Sequence, residues 1–173
     1  MKTILKILVL TFIGFSFCFS TCKYGFKDTA PIPADIQSFR VNYFENKAQY
    51  INPQISPQLT ERVKSKIISN TRLNQSNRDD ADYDISGYFT QYYTTTVGIS
   101  GGSQPNSTTN RLTVGFHLIF KNNKDLTKNF EADLIRTFDF SSQLSLTEAE
   151  NTLTEEIVKN MADEVFNKIF SNW

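Results

Sequence analysis

The sequence has few of the residues that build metal and catalytic sites. Its 173 residues include one histidine, His117, and two cysteines, Cys18 and Cys22. A hydrolytic triad or a zinc site needs clustered histidine, cysteine and carboxylate side chains, and a lone histidine inside a strand is usually structural. Nothing in the sequence positively indicates an enzyme. An enzyme that uses two carboxylates brought together only by folding remains an alternative hypothesis, because such a pair is not visible in a sequence.

Charge of neither sign is in excess. The chain carries 18 basic and 18 acidic residues. Loss of Lys2 and Lys6 with an N-terminal signal would leave 16 basic residues against 18 acidic ones. A general nucleic-acid binder needs a basic surplus. We therefore expect no nucleic-acid partner.

The spacing of three aspartates resembles that of a calcium-binding loop, but the rest of the motif is missing. Asp80, Asp82 and Asp84 stand at the first, third and fifth positions of a calcium loop. Ile85 replaces the glycine that this loop needs for its turn, and Gln91 replaces its bidentate glutamate. We interpret the three aspartates as a solvated entry to a strand, and we expect neither a metal ion nor a cofactor.

The N-terminus has the build of an export signal. Lys2 and Lys6 are followed by an uncharged, mostly apolar run over residues 7–19. A basic start before an apolar run is typical of a secretory signal. The run is shorter than the ~20 residues that a helix needs to cross a bilayer. The sequence predicts that residues 1–21 are a cleaved signal peptide of the lipoprotein type.

Cys22 is the predicted lipidation site. A lipoprotein signal ends in small residues before a cysteine whose thiol receives a diacylglyceryl group, and Ser20 and Thr21 suit this role. Cys18 lies between two phenylalanines and would leave with the signal, so no disulfide is expected. Acyl chains contribute about 0.8 kcal/mol per buried methylene and would hold the protein on a membrane. The alternative is plain secretion with a free Cys22 thiol.

The mature chain divides into a short tether and one domain. Residues 22–34 follow no regular period and end near two prolines, so they predict a lipidated tether. Residues 35–173 are numerous enough for one domain with its own core.

Alternation of apolar and polar residues predicts four strands. Their apolar positions are Phe39, Val41 and Tyr43; Tyr83, Ile85, Gly87 and Phe89; Leu112, Val114, Phe116, Leu118 and Phe120; and Phe130, Ala132, Leu134 and Phe138. The last two strands predict an antiparallel hairpin. Residues 94–110 are rich in Thr, Ser, Gly and Asn, and predict either a flexible connection or the ends of two long strands with a loop.

The first predicted helix has one apolar and one charged side. Ser56 is the predicted cap, and Leu59, Val63 and Ile67 recur every fourth residue with Ile68 beside them.

Three cations lie on the other side of this helix. Arg62, Lys64 and Lys66 are candidates for contact with an anionic head group. A solvated helix face is the commoner explanation of such a cluster.

The second predicted helix is longer and more apolar. A capping box formed either by Thr147 and Glu150 or by Ser145 and Glu148 marks its start. Two apolar columns then follow, made of Leu153, Ile157, Met161, Val165 and Ile169, and of Val158, Ala162, Phe166 and Phe170.

The order of elements is strand, helix, three strands, helix. Parallel strands need a crossover, whereas antiparallel strands need only a turn. We therefore predict an α+β, two-layer sandwich with both helices on one face of a four-stranded, mostly antiparallel sheet. The first strand can lie parallel to a neighbour, and the last three form a meander.

Blocks spread over nearly the whole mature chain resemble one lipoprotein family. They are Cys22-Lys-Tyr-Gly-Phe, the six residues from Tyr43 to Ala48, the five from Asn110 to Val114, the five from Phe138 to Ser142, and the segment from Glu155 to Trp173. In this fixed order they resemble the Bacteroidota branch of the LPS-assembly lipoprotein family, LptE.

The resemblance implies an outer-membrane lipoprotein anchored on the periplasmic side. Its α+β domain would plug the β-barrel of LptD, help that barrel to assemble, and help to deliver lipopolysaccharide to the outer leaflet. Cys22 is the one functional residue that this resemblance carries over. The anionic head group that Arg62, Lys64 and Lys66 are candidates to contact would then be that of lipopolysaccharide. The alternative is a lipid-anchored binding module for a periplasmic polymer or protein.

Overall fold

The strands with the clearest alternation form the centre of the sheet. A computed structural model describes residues 32–50, 52–97 and 109–171 of the chain. In chain order the elements are β1 (Ser38–Val41), β2 (Glu45–Asn46), α1 (Ile55–Asn70), β3 (Asn74–Gln75), β4 (Tyr83–Val97), β5 (Thr109–Asn122), β6 (Phe130–Ser141) and α2 (Leu146–Phe170). A short 3-10 turn at Leu126–Lys128 connects β5 to β6.

The sheet has six strands in the order β3-β1-β4-β5-β6, and β2 also pairs with β4. β1 is parallel to β3 and to β4, and β2 is parallel to β4. β4, β5 and β6 form the predicted antiparallel meander, with the predicted hairpin of β5 and β6. The α+β class is confirmed, but the four-stranded, mostly antiparallel sheet was wrong. β2 and β3 have two residues each, too few to show an alternating pattern.

The two described ends of the polar segment 94–110 are strand. β4 continues to Val97 and β5 begins at Thr109, and these two residues are paired. Residues 98–108 lie outside the described residues. The predicted ends of two long strands are therefore confirmed, whereas the loop predicted between them falls on residues that the structure does not describe. β-branched threonine suits an extended backbone even where both faces are exposed.

The first strand ends earlier than predicted. β1 stops at Val41, and the side chain of Tyr43 is 60% exposed, so its predicted apolar position was wrong. Phe44 is buried instead, and its backbone N–H donates to Oγ1 of Thr60 on α1. The chain leaves the hydrogen-bond ladder of the sheet after Val41. The alternation of side chains along a strand therefore no longer determines which residue faces the core.

α1 buries the predicted column of Leu59, Val63 and Ile67. Ile68 is 51% exposed, so the prediction that it shares the apolar face was wrong. The predicted cap was also wrong, because the helix begins at Ile55 and Ser56 lies inside its first turn, buried. The hydroxyl of Ser56 has no hydrogen-bond partner among the described residues.

α2 begins with the second of the two predicted capping boxes. The Ser145 hydroxyl accepts from the backbone N–H of Glu148, and the Glu148 carboxylate accepts from the Ser145 N–H at 2.9 Å. Most of the two predicted columns are buried, and Leu153 and Ile169 are partly buried against the same core. Both helices pack on one face of the sheet, α1 over β1 and β3 and α2 over β5 and β6, around a shared core that includes the alternate apolar residues of β4, β5 and β6. The opposite face of the sheet, called the open face below, carries no helix among the described residues.

One glycine in the core layer is required by a close approach. A Cβ atom at Gly87 on β4 would collide with the ring of Phe116 and with the backbone carbonyl of His117, both on β5. The Phe116 ring also makes edge-on contacts with Phe44 and Phe89, with centroid distances of 5.0 and 5.3 Å. The absence of a side chain at Gly87 therefore lets the Phe116 ring lie at the centre of the core.

Candidate interaction surfaces

The predicted lipidation site lies outside the described residues. Cys22 belongs to the N-terminal segment before Ile32, together with the signal peptide and most of the tether. Lipidation of Cys22 and the boundaries at residues 21 and 34 stay predictions.

The three cations of the predicted lipopolysaccharide contact each have a carboxylate partner. Lys66 Nζ lies 2.7 Å from Asp163 and Arg62 lies 3.8 Å from Glu155, and both of these pairs connect α1 to α2. The third cation pairs within α1, where Lys64 lies 2.8 Å from Glu61. The cluster therefore helps to join the two helices, as the solvated-face explanation allows. Contact with a lipopolysaccharide stays a prediction.

His117 lies on the open face of the sheet between two carboxylates of β6. Its Nδ1 atom lies 2.7 Å from Asp133 and its Nε2 atom lies 3.2 Å from Glu131. The hydrogen bond with Asp133 raises the pKa of His117, and Glu131 adds to this effect, whereas partial burial opposes it. The imidazole packs against the Tyr88 ring at a centroid distance of 5.1 Å. The structural role predicted for the lone histidine agrees with this cross-strand arrangement.

Other charges of the open face are also paired within the protein. Arg40 of β1 donates to Asp84 of β4 at 3.0 Å, and hydrogen bonds to Asp84 and Asp79 raise its pKa. Arg111 of β5 donates to both carboxylate oxygens of Asp139 at 2.6 and 2.8 Å, which holds the Asp139 pKa below its ordinary value. The open face thus combines many charges with little unbalanced charge.

Asp82 is buried, so its predicted role at a solvated strand entry was wrong. Its Oδ2 atom accepts from the backbone N–H of Gln37 at 2.8 Å, and from the N–H and hydroxyl of Ser38 at 2.9 and 3.0 Å. Lys124 lies 3.3 Å from its other oxygen. Burial alone would raise the Asp82 pKa, but these hydrogen bonds outweigh burial and the pKa is lowered. Through these hydrogen bonds the Asp82 carboxylate connects the start of β1 to the start of β4.

Glu150 is a second buried carboxylate, at the first turns of α2. It accepts from the Tyr92 hydroxyl at 2.8 Å, from the Asn52 amide at 3.0 Å and from the Tyr50 hydroxyl at 3.2 Å. The rings of Tyr50 and Tyr92 stack with centroids 5.5 Å apart. Burial raises the pKa of Tyr92, so its hydroxyl keeps its proton and donates to Glu150. The sequence pattern suggested Glu150 only as part of a capping box.

A groove of about 700 Å³ runs between β6 and α2. Its walls include the apolar side chains of Leu134 and Phe138 from β6 and of Leu153 from α2. Arg136 of β6 and Glu164 of α2 form an ion pair across it. The sequence alone does not reveal this groove, because it depends on how far α2 lies from the edge of the sheet.

Two further findings concern the described residues only. No group of three or more His, Cys, Asp or Glu side chains among them is placed to hold a metal ion. Neither described helix is both long and apolar enough to cross a membrane.

The fold and these surfaces define a two-layer α+β domain whose polar faces are balanced by internal ion pairs. The family model described as "LptE: Lipopolysaccharide-assembly" matches residues 36–169. The chain therefore belongs to the LptE family, as the sequence blocks predicted. This is a family of outer-membrane lipoproteins that is associated with lipopolysaccharide transport and with the barrel protein LptD. Membership supports a role in lipopolysaccharide assembly.

Several solved structures are similar to the chain at low sequence identity. A minor lipoprotein from Acinetobacter baumannii is 16% identical with a TM-score of 0.45, and the match covers 78% of this chain and 92% of that one. PelC from Paraburkholderia phytofirmans is 10% identical with a TM-score of 0.49, covering 84% and 95%. The rare lipoprotein B from Shewanella oneidensis is 11% identical with a TM-score of 0.40, covering 75% and 92%. No curated protein matches the chain. The family assignment does not depend on these structures.

Proposed function

We propose that this protein is a lipid-anchored plug and assembly factor of an LptD-type β-barrel in the outer membrane. In this role it acts without catalysis, helps the barrel to fold, and helps to deliver lipopolysaccharide to the outer leaflet. The observation that carries the proposal is the match of the LptE family model over residues 36–169.

The surface of the domain is compatible with the lumen of a large barrel. Outer-membrane barrels have polar interiors. Burying unpaired charges in such a lumen would be costly, because a charge loses its hydration there. In this domain Arg40 pairs with Asp84, Arg111 with Asp139, and His117 with two carboxylates, so most of these charges need no partner from the barrel wall.

The anchor is part of the proposal. Acylation of Cys22 would hold the domain at the periplasmic surface of the outer membrane. Intact-mass measurement of the membrane form should show a chain that begins at Cys22 and carries acyl groups. An unmodified soluble chain that begins elsewhere would refute the anchor while leaving the domain's role in assembly open.

The central experiment is affinity purification of the tagged mature protein from outer membranes solubilised in mild detergent. We expect one large β-barrel protein in near-equal amount, identified by mass spectrometry. Cells depleted of the lipoprotein should show altered lipopolysaccharide at the surface. Recovery of the lipoprotein alone, together with unaltered surface lipopolysaccharide, would refute the plug function.

The tip of the β4–β5 hairpin is the segment that we propose reaches the barrel wall. Val97 and Thr109 are paired, so residues 98–108 can be replaced by a two-residue Asn-Gly turn that keeps both strands in register. We expect this variant to fold with an unchanged melting temperature and to recover less barrel. Equal recovery would show that residues 98–108 are not needed for contact with the barrel, and would leave the rest of the proposal unaffected.

The second candidate function is a lipid-anchored binding module for a periplasmic polymer or protein. The groove between β6 and α2 favours it, because ligand sites are concave and usually about 300–1,000 Å³ in volume, and the groove of about 700 Å³ falls within that range. The two functions differ in the purification above, since a binding module would not be recovered with one barrel in near-equal amount.

A further inference from the structure

β6 forms a long free edge of the sheet. Among the described residues its 12 residues pair with β5 and with no other strand. The register between the two strands runs without a shift from Phe130 to Ser141, and β6 contains no proline. An edge strand of this kind presents a row of unpaired backbone N–H and C=O groups to which a further strand can bond.

The other edge of the sheet is built differently. It is formed by β3, with two residues, and by β1, with four. Short strands, bulges, prolines and free charges are the usual means by which proteins prevent strand addition at an edge. The β3 edge uses the first of these, whereas β6 is long, regular and free of proline.

The charges on β6 do not protect it either, because they are engaged with the protein's own side chains. The pairs are Glu131 and Asp133 with His117, Arg136 with Glu164, and Asp139 with Arg111. A charge held in this way is directed back toward the domain and repels an incoming strand less than a free one. The backbone edge therefore stays accessible.

The groove beside β6 lies where side chains of an added strand would point. Leu134 and Phe138 face the helix side of the sheet and line the groove together with Leu153 of α2. Successive side chains of a strand alternate between the two faces of a sheet. Every second side chain of an added strand would therefore enter the groove. Most of the lining is polar and Arg136 pairs with Glu164 across it. Leu134, Phe138 and Leu153 nevertheless form an apolar part in which small valine-like residues would fit.

Two exposed charges lie toward opposite ends of the groove. Glu156 and Lys168 both line it, and neither has an ion-pair partner among the described residues. They are twelve positions apart on α2, or about 18 Å at 1.5 Å per residue. An extended strand covers this distance with about six residues.

The direction of these charges along β6 follows from the aromatic contacts. Phe170 at the end of α2 contacts Tyr83, which contacts Phe120, which contacts Phe130 at the start of β6. Lys168 therefore lies toward the start of β6, and Glu156 toward its end.

We propose that the β6 edge and its groove bind an extended segment of a different polypeptide. The segment pairs antiparallel to β6. Its first residue is basic and lies near Glu156, and its last residue is acidic and lies near Lys168. The apolar side chains between them enter the groove. Backbone hydrogen bonds supply the attachment, and the groove and its two charges supply the specificity. This proposal does not rest on the assignment of LptD as partner.

A second copy of this chain is disfavoured in the antiparallel register centred on Ile135. Antiparallel pairing of two copies centred on Ile135 places Glu131 of each copy opposite Asp139 of the other. Like charges directly opposite each other destabilise a strand pair. On its groove face β6 carries Arg136 but no carboxylate, so a second copy in any antiparallel register would offer no acidic side chain to Lys168 from that strand, and the charges favour a different segment.

The test uses the full mature chain with Cys22→Ser and two blocked peptide probes, KTVTVTD and its charge-swapped form DTVTVTK. We expect KTVTVTD to bind about tenfold more tightly, and to shift backbone amide NMR signals within Phe130–Ser141 while slowing their hydrogen exchange. The double variant E156K/K168E should reverse the preference between the probes. Both substituted positions are exposed on α2, so the fold should be retained.

Four results of the peptide-binding experiments would overturn the proposal. They are equal binding of the two probes, a preference that E156K/K168E leaves unchanged, amide shifts confined to other elements, and no binding at about 2 mM probe, well above the range of specific peptide recognition. Concentration-dependent changes in β6 without any peptide would show that a second copy is the occupant, which also overturns it. None of these results bears on whether the protein co-purifies with a barrel, so the two proposals fail separately.

Discussion

Tyr92 of β4 donates a hydrogen bond of 2.8 Å to the buried carboxylate of Glu150 on α2. The bond joins two residues that are 58 positions apart in the sequence. Asn52 and Tyr50 add two further donors from the segment before α1. Three parts of the chain therefore meet at one carboxylate at the end of the domain where α2 begins.

Removing the Tyr92 hydroxyl should destabilise the fold. Tyr92→Phe keeps the ring but leaves Glu150 with one donor fewer, and an under-satisfied buried polar group costs about 1–3 kcal/mol. Urea unfolding of the purified domain measures this loss. Tyr43→Phe is the control, because Tyr43 is 60% exposed and its change should stay within about 0.5 kcal/mol. Equal stability of both variants would mean that the Glu150 cluster adds nothing to folding.

The C-terminal helix should carry much of the stability, as its two apolar columns predicted. Ile157 is fully buried, so Ile157→Ala should lower the free energy of unfolding by about 2–5 kcal/mol. Ile135 on the open face of β6 is 54% exposed and provides a control of the same residue type. Ile135→Ala should change stability by less than about 1 kcal/mol. An unchanged melting transition for Ile157→Ala would show that this helix face is not core.

The sequence predicted the regular elements because their side chains follow one period for long enough. The alternation from Leu112 to Phe120 and the columns of α2 are examples. It did not predict the burial of Asp82 or Glu150, because their partners lie about 40 to 100 positions away in the sequence. The same reason explains why the groove beside β6 was not foreseen.

The basic cluster should make two separable contributions. Lys66→Gln breaks the ion pair with Asp163 and should cost less than about 1 kcal/mol, because both side chains are partly exposed. If Arg62, Lys64 and Lys66 also contact lipopolysaccharide, the triple change to Gln should weaken its binding to the soluble domain. Binding should then also weaken as salt is added. Affinity that is indifferent to salt and to the triple change would leave the cluster with a role in helix packing alone.

His117 should make stability depend on pH near neutrality. Its pKa is raised chiefly by the hydrogen bond with Asp133 and also by Glu131, while Tyr88 packs beside the ring and Lys47 lies over Tyr88 at 4.1 Å. The folded state thus holds the proton more tightly than the unfolded state. The stabilisation is fully present below the unfolded pKa of about 6.5 and is lost as the pH rises through the higher folded pKa.

The change that tests this is His117→Gln, compared with the wild type by urea unfolding from pH 5.5 to 9. The wild type should lose stability relative to the variant as the pH rises above about 6.5. NMR titration measures the pKa of His117 directly, because the chain has one histidine and its ring signals are unambiguous. A stability difference that stays constant over this range, or a measured pKa at or below the ordinary value, would contradict the proposed role of Asp133 and Glu131.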